Sequence, residues 1–133
     1  MLILDTHALV WLTEGSERLG ETSRKIINEH LQQQTLAVSA ISFWEIAMLE
    51  IKGRLNMRQT VENWRTDLLS NGLHEVVVDG EIGVQAAHLE DFHGDPADRI
   101  ITATTLNLGA RICTADKGII DWIPSSSLVD ARK

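Results

Sequence analysis

Short, largely apolar runs recur along this chain of 133 residues, each followed by a segment with helical spacing. That alternation narrows the fold more than any other feature. The runs are Leu2 to Leu4, Leu36 to Val38, Glu75 to Val78 and Arg111 to Thr114. Leu2 to Leu4 are apolar without alternation, as in a parallel strand buried on both faces. Helices are expected over Thr6 to Thr13, from Gly20 or Glu21 to Gln33, over Ser39 to Ile51, over Val61 to Leu69 and near Gly80 to Leu89. Another begins at Pro96, the favoured first helical position, and ends near Leu108. A short helix near Lys117 to Trp122 and an edge strand at Ser127 to Val129 complete the chain. In the third helix Ile41, Trp44, Met48 and Ile51 form one apolar stripe, and the tryptophans in general are expected to pack in a core or interface. Strands alternating with helices predict an α/β fold, a three-layer α/β/α sandwich with a mostly parallel sheet of four to five strands. No linker, repeat or low-complexity segment interrupts it, so a single domain over residues 1–133 is expected.

The net charge of −7 argues against binding nucleic acid through a basic surface. Carboxylates that bind metal would account for part of the excess, which softens that conflict without removing it. Cys113, the only cysteine, has no intrachain partner. In the run Ala110-Arg111-Ile112-Cys113-Thr114 it reads as a buried strand cysteine, consistent with a reducing cytoplasm. Met1-Leu2-Ile3-Leu4-Asp5 predicts no signal peptide, and no apolar stretch approaches the roughly 18 residues that span a membrane.

Four acids stand where expected strands end or helices begin: Asp5, Glu45, Asp98 and Asp116. In an open parallel sheet such positions converge on one crevice. Two unit charges at about 4 Å repel by roughly 4 kcal/mol at an effective dielectric near 20, so a cation must neutralise such a cluster or some acids must stay protonated. Carboxylates are hard oxygen ligands, which points to Mg²⁺ or Mn²⁺. Each acid also has a plain structural reading. Asp5 suits an N-cap as well as a ligand. Ser42-x-x-Glu45 reads as a capping box, although Ser39 is an equally good cap and would free Glu45. Asp95 is taken as the cap before Pro96 and Asp98 as the functional residue in the first turn. Asp116, taken singly, is more cap-like than catalytic.

The context of these acids resembles the PIN-domain ribonucleases, and among them the VapC-type toxins of toxin–antitoxin pairs. The matching strings are L-D-T-H-A-L-V-W-L, V-S-A-I-S-F-W-E-I, H-G-D-P-A-D-R-I-I-T-A-T and I-C-T-A-D-K-G-I, in the family's order across nearly the whole chain. By that resemblance Asp5, Glu45, Asp98 and Asp116 match the family's metal-binding acids. Thr114 matches a polar residue often found beside the last one, and Asp95 is a weaker candidate. The resemblance implies one or two Mg²⁺ ions, replaceable by Mn²⁺, that hold the phosphate and activate a water for in-line attack. The implied products carry a 5′-phosphate and a 3′-hydroxyl. It further implies an RNA substrate, a cognate antitoxin that inserts a helix or basic residue, and a homodimer.

Other residues have weaker claims. His7 is expected to pack or hydrogen-bond, since imidazole suits Mg²⁺ poorly. Arg99 is placed to bind phosphate or pair with an acid. Lys52, Arg54 and Arg58, and Arg18, Arg24 and Lys25, form basic clusters, usually solvated but the best candidates for the RNA backbone. Ser39 and Ser42 read as caps, because no His/Asp pair would activate them. A phospho-accepting receiver is rejected because Asp5 has no acidic neighbour and Asp79 lacks the associated pattern. A haloacid-dehalogenase-type phosphatase would want a second Asp where His7 stands. A catalytically silent binding protein is the remaining alternative.

Overall fold

The structure, a computed structural model, describes all residues from Met1 to Lys133. Five strands form one sheet: β1 (Leu2–Leu4), β2 (Leu36–Ser39), β3 (His74–Val76), β4 (Arg111–Thr114) and β5 (Leu128–Asp130). Their order is β3-β2-β1-β4-β5, and every pairing is parallel. Seven helices connect them: α1 (Thr6–Glu14), α2 (Glu21–Gln32), α3 (Ala40–Ile51), α4 (Val61–Ser70), α5 (Gly80–Ala87), α6 (Pro96–Asn107) and α7 (Lys117–Trp122), with a single 3-10 turn at Ser125–Ser127.

The two-residue side-chain period of a strand sorts the core into two layers. Leu2, Leu4, Leu36, Val38, Cys113 and Val129 share one face with Ala8 and Leu9 of α1 and Ile27 of α2. Ile3, Ala37 and Ile112 share the other with Ile101 of α6 and Ile119 of α7. The expected sandwich is therefore present, with a sheet that is wholly parallel. Leu2, Ile3 and Leu4 are fully buried, as their unbroken apolarity requires. Cys113 is buried and unpaired, and burial pushes its thiol up to about 12. No helix is long and apolar enough to cross a membrane.

Three local expectations are corrected. The third strand ends at Val76 rather than Val78, because β3 pairs only with β2 and its last residue already faces Ser39, the end of β2. Val77, with no strand beside it, is 66% exposed. The α3 stripe is also rotated from the expected one: Ser42, Phe43 and Ile46 are buried, while Trp44 is 56% and Ile51 76% exposed. This helix is apolar around most of its circumference, so its period alone does not say which face the sheet takes. Finally, α5 ends at Ala87, two residues before Leu89, for a reason that lies in Arg99.

Candidate active site

The chain leaves β1 toward β2 on one side and returns to β4 on the other, so the carboxyl ends of β1 and β4 flank the sheet's topological switch point. Asp5 follows β1 and caps α1, accepting from the Thr6 N–H at 2.8 Å. Asp116 lies two residues after β4 and caps α7, accepting from the Ile119 N–H at 3.0 Å. Asp95 caps α6 by accepting from the Asp98 N–H at 2.8 Å, which leaves the Asp98 side chain in the first helical turn free of capping duty. Ser39 caps α3, so the capping-box reading of Ser42 and Glu45 fails. Glu45 instead receives the Thr6 hydroxyl on Oε1 at 2.5 Å.

Asp5 and Asp116 thus act as caps and still belong to the acidic group. Burial raises the Asp5 pKa most, and Asp116 adds to it, while hydrogen bonds from the Thr114 side chain and the Thr6 backbone pull it down. Burial likewise raises Glu45, opposed by Thr6 and reinforced by the charges of Asp5 and Asp95. Asp98 is pushed up to about 7, first by desolvation and then by Asp5, Asp95, Asp116 and Glu45. Asp5, Glu45, Asp95 and Asp116 therefore all lie within electrostatic reach of Asp98. No three His, Cys, Asp or Glu side chains stand in a ready coordination arrangement, however. Three of the four also accept short hydrogen bonds: Asp5 from Thr6 and Thr114, Glu45 from Thr6, and Asp116 from the start of α7.

The donor set suits a hard divalent cation. It is all carboxylate oxygen, and the charges of Asp5, Glu45 and Asp116 each help raise the Asp98 pKa. Three hydroxyls support it. Thr114 donates to Asp5 Oδ2 at 2.7 Å and accepts from the Asp116 N–H at 3.0 Å. Thr6 and Ser42 stand 2.8 Å apart, both fully buried. Thr6 and the true contact of Ser42 escaped the sequence reading, although Ser42 lies three residues before Glu45 and so shares its helix face. Gly94 also matters here, since a Cβ at that position would stand 2.4 Å from the Phe92 ring and 2.9 Å from Asp98 Cβ.

Arg99 does not reach toward a phosphate or an acid. Its guanidinium donates to the carbonyls of Ala86, Ala87, Leu89 and Phe92, and it stacks 5.7 Å from the Phe92 ring centroid. It satisfies the last carbonyls of α5, which ends that helix and ties the following loop to α6. His7 is exposed at the start of α1. Of the basic clusters, Arg24 is engaged with the Ser16 carbonyl, while Lys52, Arg54, Arg58, Arg18 and Lys25 are exposed.

A wholly parallel α/β sheet with one buried and three half-buried carboxylates near its switch point defines an α/β protein with an acidic candidate site. The chain belongs to the PIN domain family, which it matches over residues 2–121. It is 33% identical over 117 residues to Ribonuclease VapC22 of Mycobacterium tuberculosis, covering 87% of each chain. Two solved structures share the fold. One is a toxin-antitoxin complex from Klebsiella pneumoniae, at TM-score 0.62 and 17% identity over 98% of each chain. The other is VapBC2 from Rickettsia felis bound to a DNA fragment from their promoter, at TM-score 0.70 and 14% identity over 96% of each chain.

Proposed function

We propose that this protein is a divalent-metal-dependent endoribonuclease, the toxin of a toxin–antitoxin pair, acting as one catalytic domain over residues 1–133. One observation carries the reading: Asp5, Glu45, Asp98 and Asp116 come from four separate segments, and Asp98 feels the charge of the other three. A PIN family relative that is a ribonuclease supports the chemistry. Asp5, Glu45, Asp98 and Asp116 are the residues assigned to hold Mg²⁺, or Mn²⁺ in its place. When bound, such an ion supplies positive charge to the phosphate and lowers the pKa of a water.

The chain's own residues prepare that site. Thr114 orients Asp5 and the backbone leading into Asp116. Desolvation and the neighbouring acids push the Asp98 pKa up to about 7. Exposed Lys52, Arg54 and Arg58 offer backbone contacts to a single RNA strand, and their charge offsets locally the overall −7. The proposed inhibitor is an antitoxin whose basic segment complements the acidic crevice. A homodimer and a cytoplasmic setting, the latter in keeping with the unpaired Cys113, complete the reading.

The test is incubation of total RNA with Mg²⁺ or Mn²⁺ and the wild-type, Asp5→Asn or Asp98→Asn protein. Cleavage by the wild type alone is expected. Equal cleavage by all three rejects the assigned residues, and no cleavage by any of them favours a silent PIN-like binding module.

A further inference from the structure

Thr6 is the only residue that donates to both Asp5 and Glu45, its backbone N–H to the first and its hydroxyl to the second. A hydroxyl has a single hydrogen and two lone pairs. Because Thr6 gives its hydrogen to Glu45, the hydroxyl of Ser42, 2.8 Å away, must be the donor to Thr6. The contacts therefore form a directed chain, Ser42 to Thr6 to Glu45. Both hydroxyls are sealed from solvent, at 1% and 0% exposure, so water does not compete for them. Thr6 approaches from α1 and Ser42 from α3, the same helix that carries Glu45. A glutamate has three side-chain torsions, and this chain restrains them from two elements at once.

We propose that Thr6, oriented by Ser42, is the positioning residue that holds Glu45 for cation binding. The inference rests on the metal-dependent reading above. Glu45 accepts from Thr6 on Oε1, and its Oε2 has no side-chain partner, so the carboxylate would keep free lone pairs for a cation. Groups that orient a metal ligand are typically worth about 10–100-fold in metal affinity.

The experiment is calorimetric titration of the purified protein with Mn²⁺ alone. Thr6→Val should weaken binding about tenfold, and Thr6→Ser should restore it. In a Glu45→Gln background, Thr6→Val should cause no further loss, because the residue it positions is already changed. Wild-type affinity in Thr6→Val overturns the proposal, as does an equal loss in the Glu45→Gln background. Circular dichroism checks folding in each case. If Thr6→Val does not fold, Ser42→Ala decides: weaker Mn²⁺ binding supports the chain of hydroxyls, and unchanged binding overturns it. Asp5→Asn in the same titration separates the two readings. Its loss of Mn²⁺ upholds the metal site whatever Thr6→Val does, and a wild type that takes up no Mn²⁺ overturns both.

Discussion

The Thr114 hydroxyl donates to Asp5 Oδ2 at 2.7 Å, joining the ends of β4 and β1 across 109 positions of sequence. The Thr114 hydroxyl oxygen in turn accepts from the Asp116 N–H, so one buried side chain fixes the relation between two acids of the site. Thr114→Val keeps the shape and removes the hydrogen bond. It is expected to cost about 1–3 kcal/mol at neutral pH, the usual penalty for a buried group left without its partner. The bond lowers the Asp5 pKa and so favours the charged carboxylate. The cost should therefore shrink as pH falls and Asp5 takes up a proton. Urea unfolding of both proteins across a pH series measures this, and a difference that stays constant with pH would contradict it.

Asp98 has the opposite sign. Its folded pKa of about 7 lies above the unfolded value near 3.9. Its favourable contribution is complete below the unfolded value and is lost as pH rises through the folded one. Asp98→Asn should thus raise stability at pH 8 by about 1 kcal/mol, after discounting for its partial exposure to solvent. The gain should vanish near pH 4. Thermal melting across this range gives the readout, and the same variant is expected to lose RNA cleavage.

Arg99→Ala removes four hydrogen bonds to carbonyls and the stacking on Phe92. A loss of about 3 kcal/mol is expected, because the carbonyls at the end of α5 lose a charged donor. Arg99→Lys should recover less than half of it, since an ammonium cannot reproduce the planar fork. Denaturant unfolding distinguishes this from a phosphate-binding role, which would weaken RNA binding and leave stability unchanged.

The two faces of α3 should respond unequally. Trp44→Ala is expected to change stability by no more than about 0.5 kcal/mol, as at other exposed positions. Ile46→Ala, at a fully buried position, should cost about 2–5 kcal/mol. Comparable losses would show that Trp44 is covered in solution.

Much of the architecture was legible from local pattern. Leu2 to Leu4 announced a strand buried on both faces, and the turn residues at Asp5, Ser39, Asp95 and Asp116 all cap the helices that follow them. These are interactions between near neighbours, which short strings encode directly. The rotation of α3 was not legible, because a helix apolar on several sides offers the sheet more than one face to bury. The early end of β3 was equally hidden, since it depends on where its partner strand stops.

The candidate site divides along the same line. Residue identity and order along the chain were enough to single out Asp5, Glu45, Asp98 and Asp116, because hard-ligand chemistry and family strings are properties of the polymer. Only the folded arrangement decided that Asp5 leans on Thr114, that Glu45 is held by Thr6 and Ser42, and that Arg99 is spent on α5. Those contacts join positions far apart or on different helices. Their geometry follows from how the layers pack, which no single segment contains.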